Sequence, residues 1–173
     1  MSTNVKKWLF TIIAGLGLPV LIFLGLYLST WGTYPVPATI ATDTQLPTLS
    51  TSDFKVHGEI MGPAQAPLIV VVHDGPGSDY RSLLPLKALS DTHRVLFYDQ
   101  MGSGLSPRVD NTELGIKQSL QRLSLLIDTY AAGQQVALIG HGWGGMLASA
   151  YAGEHPERIR HMALLEPGFL NAE

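Results

Sequence analysis

The stretch that most constrains this chain is Val136-Ala137-Leu138-Ile139-Gly140-His141-Gly142-Trp143-Gly144-Gly145. An apolar run enters a cluster of glycines, and a run of small and apolar residues, Met146 to Gly153, leaves it. Such a run is a buried strand, and the residues after it form a helix. The glycines between them imply a sharp strand-to-helix turn in which backbone passes close to backbone. Gly140 and Gly144 sit two residues to either side of the centre, where a Cβ would clash with the turn. The centre itself is Gly142, which carries no hydroxyl, thiol or carboxylate.

The segments around this turn alternate strands with helices. Asp53 to Ile60 places Phe54, Val56 and Ile60 against polar neighbours, the pattern of a half-buried strand. Gly62-Pro63 and Ala66-Pro67 make a turn. Leu68 to Val72 is a continuous β-branched run suited to a central parallel strand covered on both faces. The glycine-rich loop His73-Asp74-Gly75-Pro76-Gly77 follows it. Tyr80 to Leu89 reads as a short amphipathic helix, and Arg94 to Tyr98 as the next strand. Asn111 or Thr112 is placed to cap a long helix, in which Ile116, Leu120, Leu123, Ile127 and Tyr130 recur at helical spacing and Gly133 suits the C-terminal cap. Ile159 to Leu165 is a further strand. The expected class is α/β, with a mostly parallel sheet and helices on both faces, over residues 53–173.

The first segment is of another kind. Trp8 to Leu28 holds 21 residues without a charge; at about 1.5 Å each they span roughly 31 Å, the thickness of a bilayer core. Lys6 and Lys7 precede it, and no basic residue follows until Lys55. The expectation is one N-terminal transmembrane helix over 8–28, residues 1–7 cytoplasmic and the remaining domain periplasmic or extracellular. The alternative is a cleaved signal peptide, for which Val36-Pro37-Ala38 is a poor site. Residues 29–52, rich in Thr, Ser and Pro, read as an extended tether.

Composition removes other classes. The net charge is −3 and no basic stripe appears, so no nucleic-acid partner is expected. The absence of cysteine excludes disulfides and thiolate catalysis. The histidines have no metal-ligand spacing, and no dinucleotide or phosphate-loop pattern is present, so neither metal nor cofactor is expected.

Four stretches, in order, resemble one family. His73-Asp74-Gly75-Pro76-Gly77 is similar to the H-G-G-P-G loop of proline iminopeptidases and related α/β-hydrolases. Asp99-Gln100-Met101-Gly102-Ser103-Gly104-Leu105-Ser106 resembles their D-Q-R-G-x-G-x-S segment, with Met101 where Arg is usual. Gly140-His141-Gly142-Trp143-Gly144-Gly145 resembles their G-x-S-W-G-G elbow, and His155-Pro156-Glu157-Arg158 the H-P-E-R end of the following helix. The resemblance implies the α/β-hydrolase fold and an amide or ester hydrolase with a small peptide or ester substrate. It puts Gly142 at the position of the serine nucleophile. It makes the N–H of Trp143 one oxyanion donor, and the N–H of Asp74 or Gly75 the second.

Two departures bear on activity. Gly142 keeps the turn without a nucleophile. In this family the acid and histidine of the triad come from late loops, whereas here no histidine follows His161. The chain thus reads as the N-terminal part of the fold, with cap and C-terminal strands missing and a C-terminal half or a second copy as expected partner. His141 reads as a hydrogen-bonded structural residue. His73 is read as fixing the oxyanion loop, Asp99 as holding its own loop, and Glu166 as a surface residue. The expected function is a membrane-anchored, proline iminopeptidase-like hydrolase lineage, inactive as written. The alternatives are a non-catalytic binding protein or a truncated or split gene product.

Overall fold

The computed structural model describes residues 3–32 and 37–168, without the side chains of 3–4 and 9–14. Val36 of the weak cleavage site and the last five residues of the expected 53–173 domain lie outside the described residues. The chain divides into two compact units, Met1–Val36 and Pro37–Glu173.

The first unit holds one helix, α1 (Thr3–Ser29). Among the described residues no helix is long and apolar enough to cross a membrane. This corrects the transmembrane helix expected over 8–28. It equally corrects the single-pass membrane location, the cytoplasmic N-terminus and the periplasmic or extracellular domain built on that helix.

The second unit is built on a six-stranded sheet in the order β1-β2-β4-β3-β5-β6. Its strands are β1 (Thr48–Ser50), β2 (Lys55–Met61), β3 (Leu68–Val72), β4 (Arg94–Tyr98), β5 (Val136–His141) and β6 (Ile159–Leu165). β1 and β2 are antiparallel additions; β4, β3, β5 and β6 run parallel. All five residues of β3 are buried, as expected of a strand covered on both faces. Its alternation divides the core. Val70 and Val72 join Leu96, Tyr98 and Leu138 beneath α2 (Ile116–Ala131) and α3 (Trp143–Glu154). Ile69 and Val71 join Val95 and Phe97 on the other side, under Tyr80 and Leu83 of a 3₁₀ helix over Tyr80–Asp91. Helices therefore cover both faces.

Three details differ from the sequence reading. β1 lies inside the stretch expected as a tether. It pairs with β2 and is tied to α2 by the Tyr130 hydroxyl, which accepts from Ser50 N (2.9 Å) and donates to Ser50 O (3.0 Å). The long helix starts later than expected. Asp110 caps a 3₁₀ turn over Asn111–Glu113, and α2 begins at Ile116 after Gly115. At its other end Ala132 (φ 48°) turns left-handed one residue before Gly133.

Candidate functional site

Gly142 is the single residue between β5 and α3, with φ 54° and ψ −120°. An L side chain is strained there, and glycine is not. Its N–H donates to Leu165 O (3.0 Å), and its carbonyl accepts from Gly145 N (3.0 Å) and Met146 N (3.3 Å). A Cβ on Gly140 would press on Gly144 O, and one on Gly144 would overlap the carbonyl oxygens of Val72 and His73. β3, β5 and α3 therefore meet backbone to backbone, and this fixes the turn beside the loop that leaves β3.

That loop is locked by His73, which is fully buried. Gln100 N donates to its Nε2 (2.9 Å), so the ring proton sits on Nδ1 and is donated to Asp74 O (2.6 Å). Gln100 Nε2 donates to His73 O (2.8 Å) and closes the frame. Burial lowers the His73 pKa and keeps the imidazole neutral.

The carboxylate of Asp74 lies over the turn. Its Oδ1 accepts from Trp143 N (2.7 Å) and from Gly75 N (2.8 Å). A Cβ on Gly142 would overlap this carboxylate. The Trp143 N–H above all holds the Asp74 carboxyl below the usual carboxylate range. Gly75 N–H and the neighbouring His141 and His73 add to this, against an opposing desolvation effect. Trp143 N also opens α3, so the helix terminus favours the same negative charge. Two backbone donors thus converge on one oxygen, and that oxygen belongs to the protein.

The structure brings Gly142, Trp143, Asp74 and Gly75 together, with Gly140 and Gly144 beneath them. Asp74 enters through its side chain, which sequence reasoning passed over; the signal was an aspartate where the resembled loop has its first glycine. His141 differs from expectation. Its Nδ1 is buried without a hydrogen-bond partner, and its Nε2 is 3.9 Å from Glu166 Oε2, beyond hydrogen-bond distance. Glu166 has a side chain 92% exposed. Asp99 holds its loop through Leu105 N (2.8 Å) and Tyr80 N (3.1 Å). It also binds His57 Nδ1 at 2.8 Å, a pairing across 42 residues that no local spacing announces. Among the described residues no group of three His, Asp or Glu could hold a metal.

Comparison with known proteins agrees with this architecture. The family profile described as "alpha/beta hydrolase fold" matches residues 67–173. The chain belongs to the α/β-hydrolase fold family. It is 34% identical over 124 residues to a cis-3-alkyl-4-alkyloxetan-2-one decarboxylase of Shewanella oneidensis, covering 69% of this chain and 38% of that protein. It is 36% identical over 105 residues to the proline iminopeptidase of Heyndrickxia coagulans, covering 57% and 34%. Among solved structures, a proline iminopeptidase-related protein from Thermus thermophilus superposes with a TM-score of 0.64 at 25% identity, over 70% of this chain and 44% of the other. The chain spans well under half the length of these relatives.

Proposed function

We propose that this chain is a non-acylating member of its family, a binding protein on a hydrolase scaffold whose anion seat is filled by its own Asp74. Acyl transfer at such a turn needs a nucleophile at the centre and two N–H groups free to receive the developing oxyanion. Gly142 supplies no nucleophile. Asp74 Oδ1 takes the N–H of Trp143, which the family resemblance makes one oxyanion donor, and the N–H of Gly75, one of the two candidates for the second. The single observation that carries the reading is that one carboxylate oxygen satisfies both donors from within the volume a side chain at 142 would need. The two positions are sterically linked: a serine at 142 and the Asp74 carboxylate in its present place exclude each other. The lineage reading, an amide or ester hydrolase related to proline iminopeptidases, accounts for the scaffold. The Asp74–Gly142 pair accounts for its silence.

The test is labelling of the purified 173-residue chain with a fluorophosphonate. No serine is expected to react. Stoichiometric labelling of a serine beside the turn overturns the reading.

A further inference from the structure

Away from the turn, a cleft of about 320 Å³ is lined by His57, Asp79, Arg81, Asp99, Leu105 and Arg108, among others. That volume is within the range of small-molecule sites, roughly 300–1,000 Å³.

The cleft is built around a fixed imidazole. His57 and Asp99 are both buried. Asp99 accepts from the backbone N–H of Leu105 and of Tyr80 and from His57 Nδ1. An ionised carboxylate only accepts, so the Nδ1 atom of His57 carries the proton. Tyr80 stacks on the ring at 5.4 Å and 20°, and its hydroxyl donates to Glu59 Oε1 at 3.1 Å. Orientation and tautomer are therefore set from behind. Nε2 has no hydrogen-bond partner among the described residues and is not among the fully buried unpaired atoms, so it is left to the cleft.

The charges of the lining divide into pairs with one remainder. Asp79 and Arg81 form a fork, with Arg81 Nε and Nη2 both donating to Asp79 Oδ2 (2.9 and 2.6 Å). Asp99 is partnered by His57 Nδ1. Among the described residues Arg108 donates only to neutral carbonyls, Ser106 O (3.3 Å) and Gly104 O (2.8 Å). Arg108 is thus the lining guanidinium that has no carboxylate partner among the described residues. A small anion would supply that partner.

We propose that this cleft binds a small monoanion of the carboxylate or phosphate class, held between the Arg108 guanidinium and His57 Nε2. The proton that makes His57 an imidazolium comes from the ligand's own acid group, which leaves the ligand as the anion. It stays on Nε2 and is donated to the bound anion, while Asp99 balances the charge on Nδ1. The charged and titratable groups facing His57 are Asp99, Asp79, Arg81 and Arg108 in the lining, with Tyr80 stacked on the ring and Glu59 behind it. The site is separate from the Asp74 seat and stands whether or not that seat is silent.

The experiment is a titration of the full chain, ¹⁵N-labelled at histidine and arginine, with sodium acetate and separately with inorganic phosphate, each against sodium chloride at equal ionic strength. His57 Nε2 and Arg108 Nε resonances are expected to move together and saturate, with Nε2 moving toward the imidazolium position. The arm with the tighter saturation identifies the anion class. Arg108→Gln is expected to weaken binding about tenfold or more, the worth of one charge-assisted contact. Arg108→Lys, which keeps the charge, retains part of it, and Arg160→Gln, on β6, leaves it unchanged. Shifts that chloride reproduces, or an affinity that Arg108→Gln leaves intact, overturn the proposal.

Discussion

Replacing Gly142 by serine in the otherwise unchanged chain tests how tightly the two halves of the turn are joined. The new Cβ would overlap the Asp74 carboxylate, so Asp74 must leave Trp143 N and Gly75 N. Hydrogen bonds to a charged group contribute about 1.5–3 kcal/mol each when buried. Asp74 is only partly buried, so roughly 2 kcal/mol for the pair is the discounted figure. A non-glycine residue at φ 54° adds about 1–3 kcal/mol of backbone strain. Gly142→Ser is therefore expected to cost about 3–5 kcal/mol, and Asp74→Ala about 2 kcal/mol. In the double variant the lost hydrogen bonds count once, so the pair falls short of additivity by about 2 kcal/mol. Urea unfolding of the four proteins at low concentration reads the cycle directly. Costs that add to within about 0.5 kcal/mol would refute the steric link between residues 74 and 142.

Two further outcomes follow from other parts of the fold. His73 is neutral in the folded protein because burial lowers its pKa, so the unfolded chain binds a proton that the folded one refuses. Its contribution is constant above the ordinary histidine pKa of about 6.5 and destabilises as pH falls below it, by up to about 1.4 kcal/mol per pH unit; a urea midpoint unchanged between pH 7.5 and pH 5.5 would contradict this. Among the described residues β6 pairs only with β5 in the sheet, and Met162 and Leu165 on it are 42% and 37% exposed. Such an edge templates association. Sedimentation velocity is expected to show concentration-dependent oligomers that Met162→Lys reduces, and a monomer at every concentration would count against it.

Strands were the most legible part of the sequence. β3 begins and ends where its apolar run does, because a strand covered on both faces has no polar residue to blur its ends; β4 and β6 also keep their expected bounds, although β4 opens on Arg94 and the exposed β6 carries Arg160 and His161. β1 was not legible: three residues in a Thr- and Pro-rich stretch carry no period, and what places them is pairing with β2 and the Tyr130 hydroxyl. The long apolar N-terminal run invited a membrane reading that the described part of α1 does not carry. At the turn, glycine spacing located the backbone of the site, since Gly140 and Gly144 have no alternative where carbonyls approach so closely. The role of Asp74 was hidden because it depends on a contact across 69 residues with Trp143. The His57–Asp99 pair was hidden in the same way. Both are tertiary pairings of residues that look ordinary one at a time.

The account rests on one carboxylate oxygen accepting two backbone N–H groups, and the amide protons of Gly75 and Trp143 report on it directly. In a pH titration followed by ¹H–¹⁵N NMR, both resonances are expected downfield at neutral pH. Both are expected to move together with a single apparent pKa below the usual carboxylate range, as Asp74 takes up its proton. Two amides that titrate independently, or that do not respond to a carboxyl group below that range, would show that Asp74 does not fill the seat at Gly142.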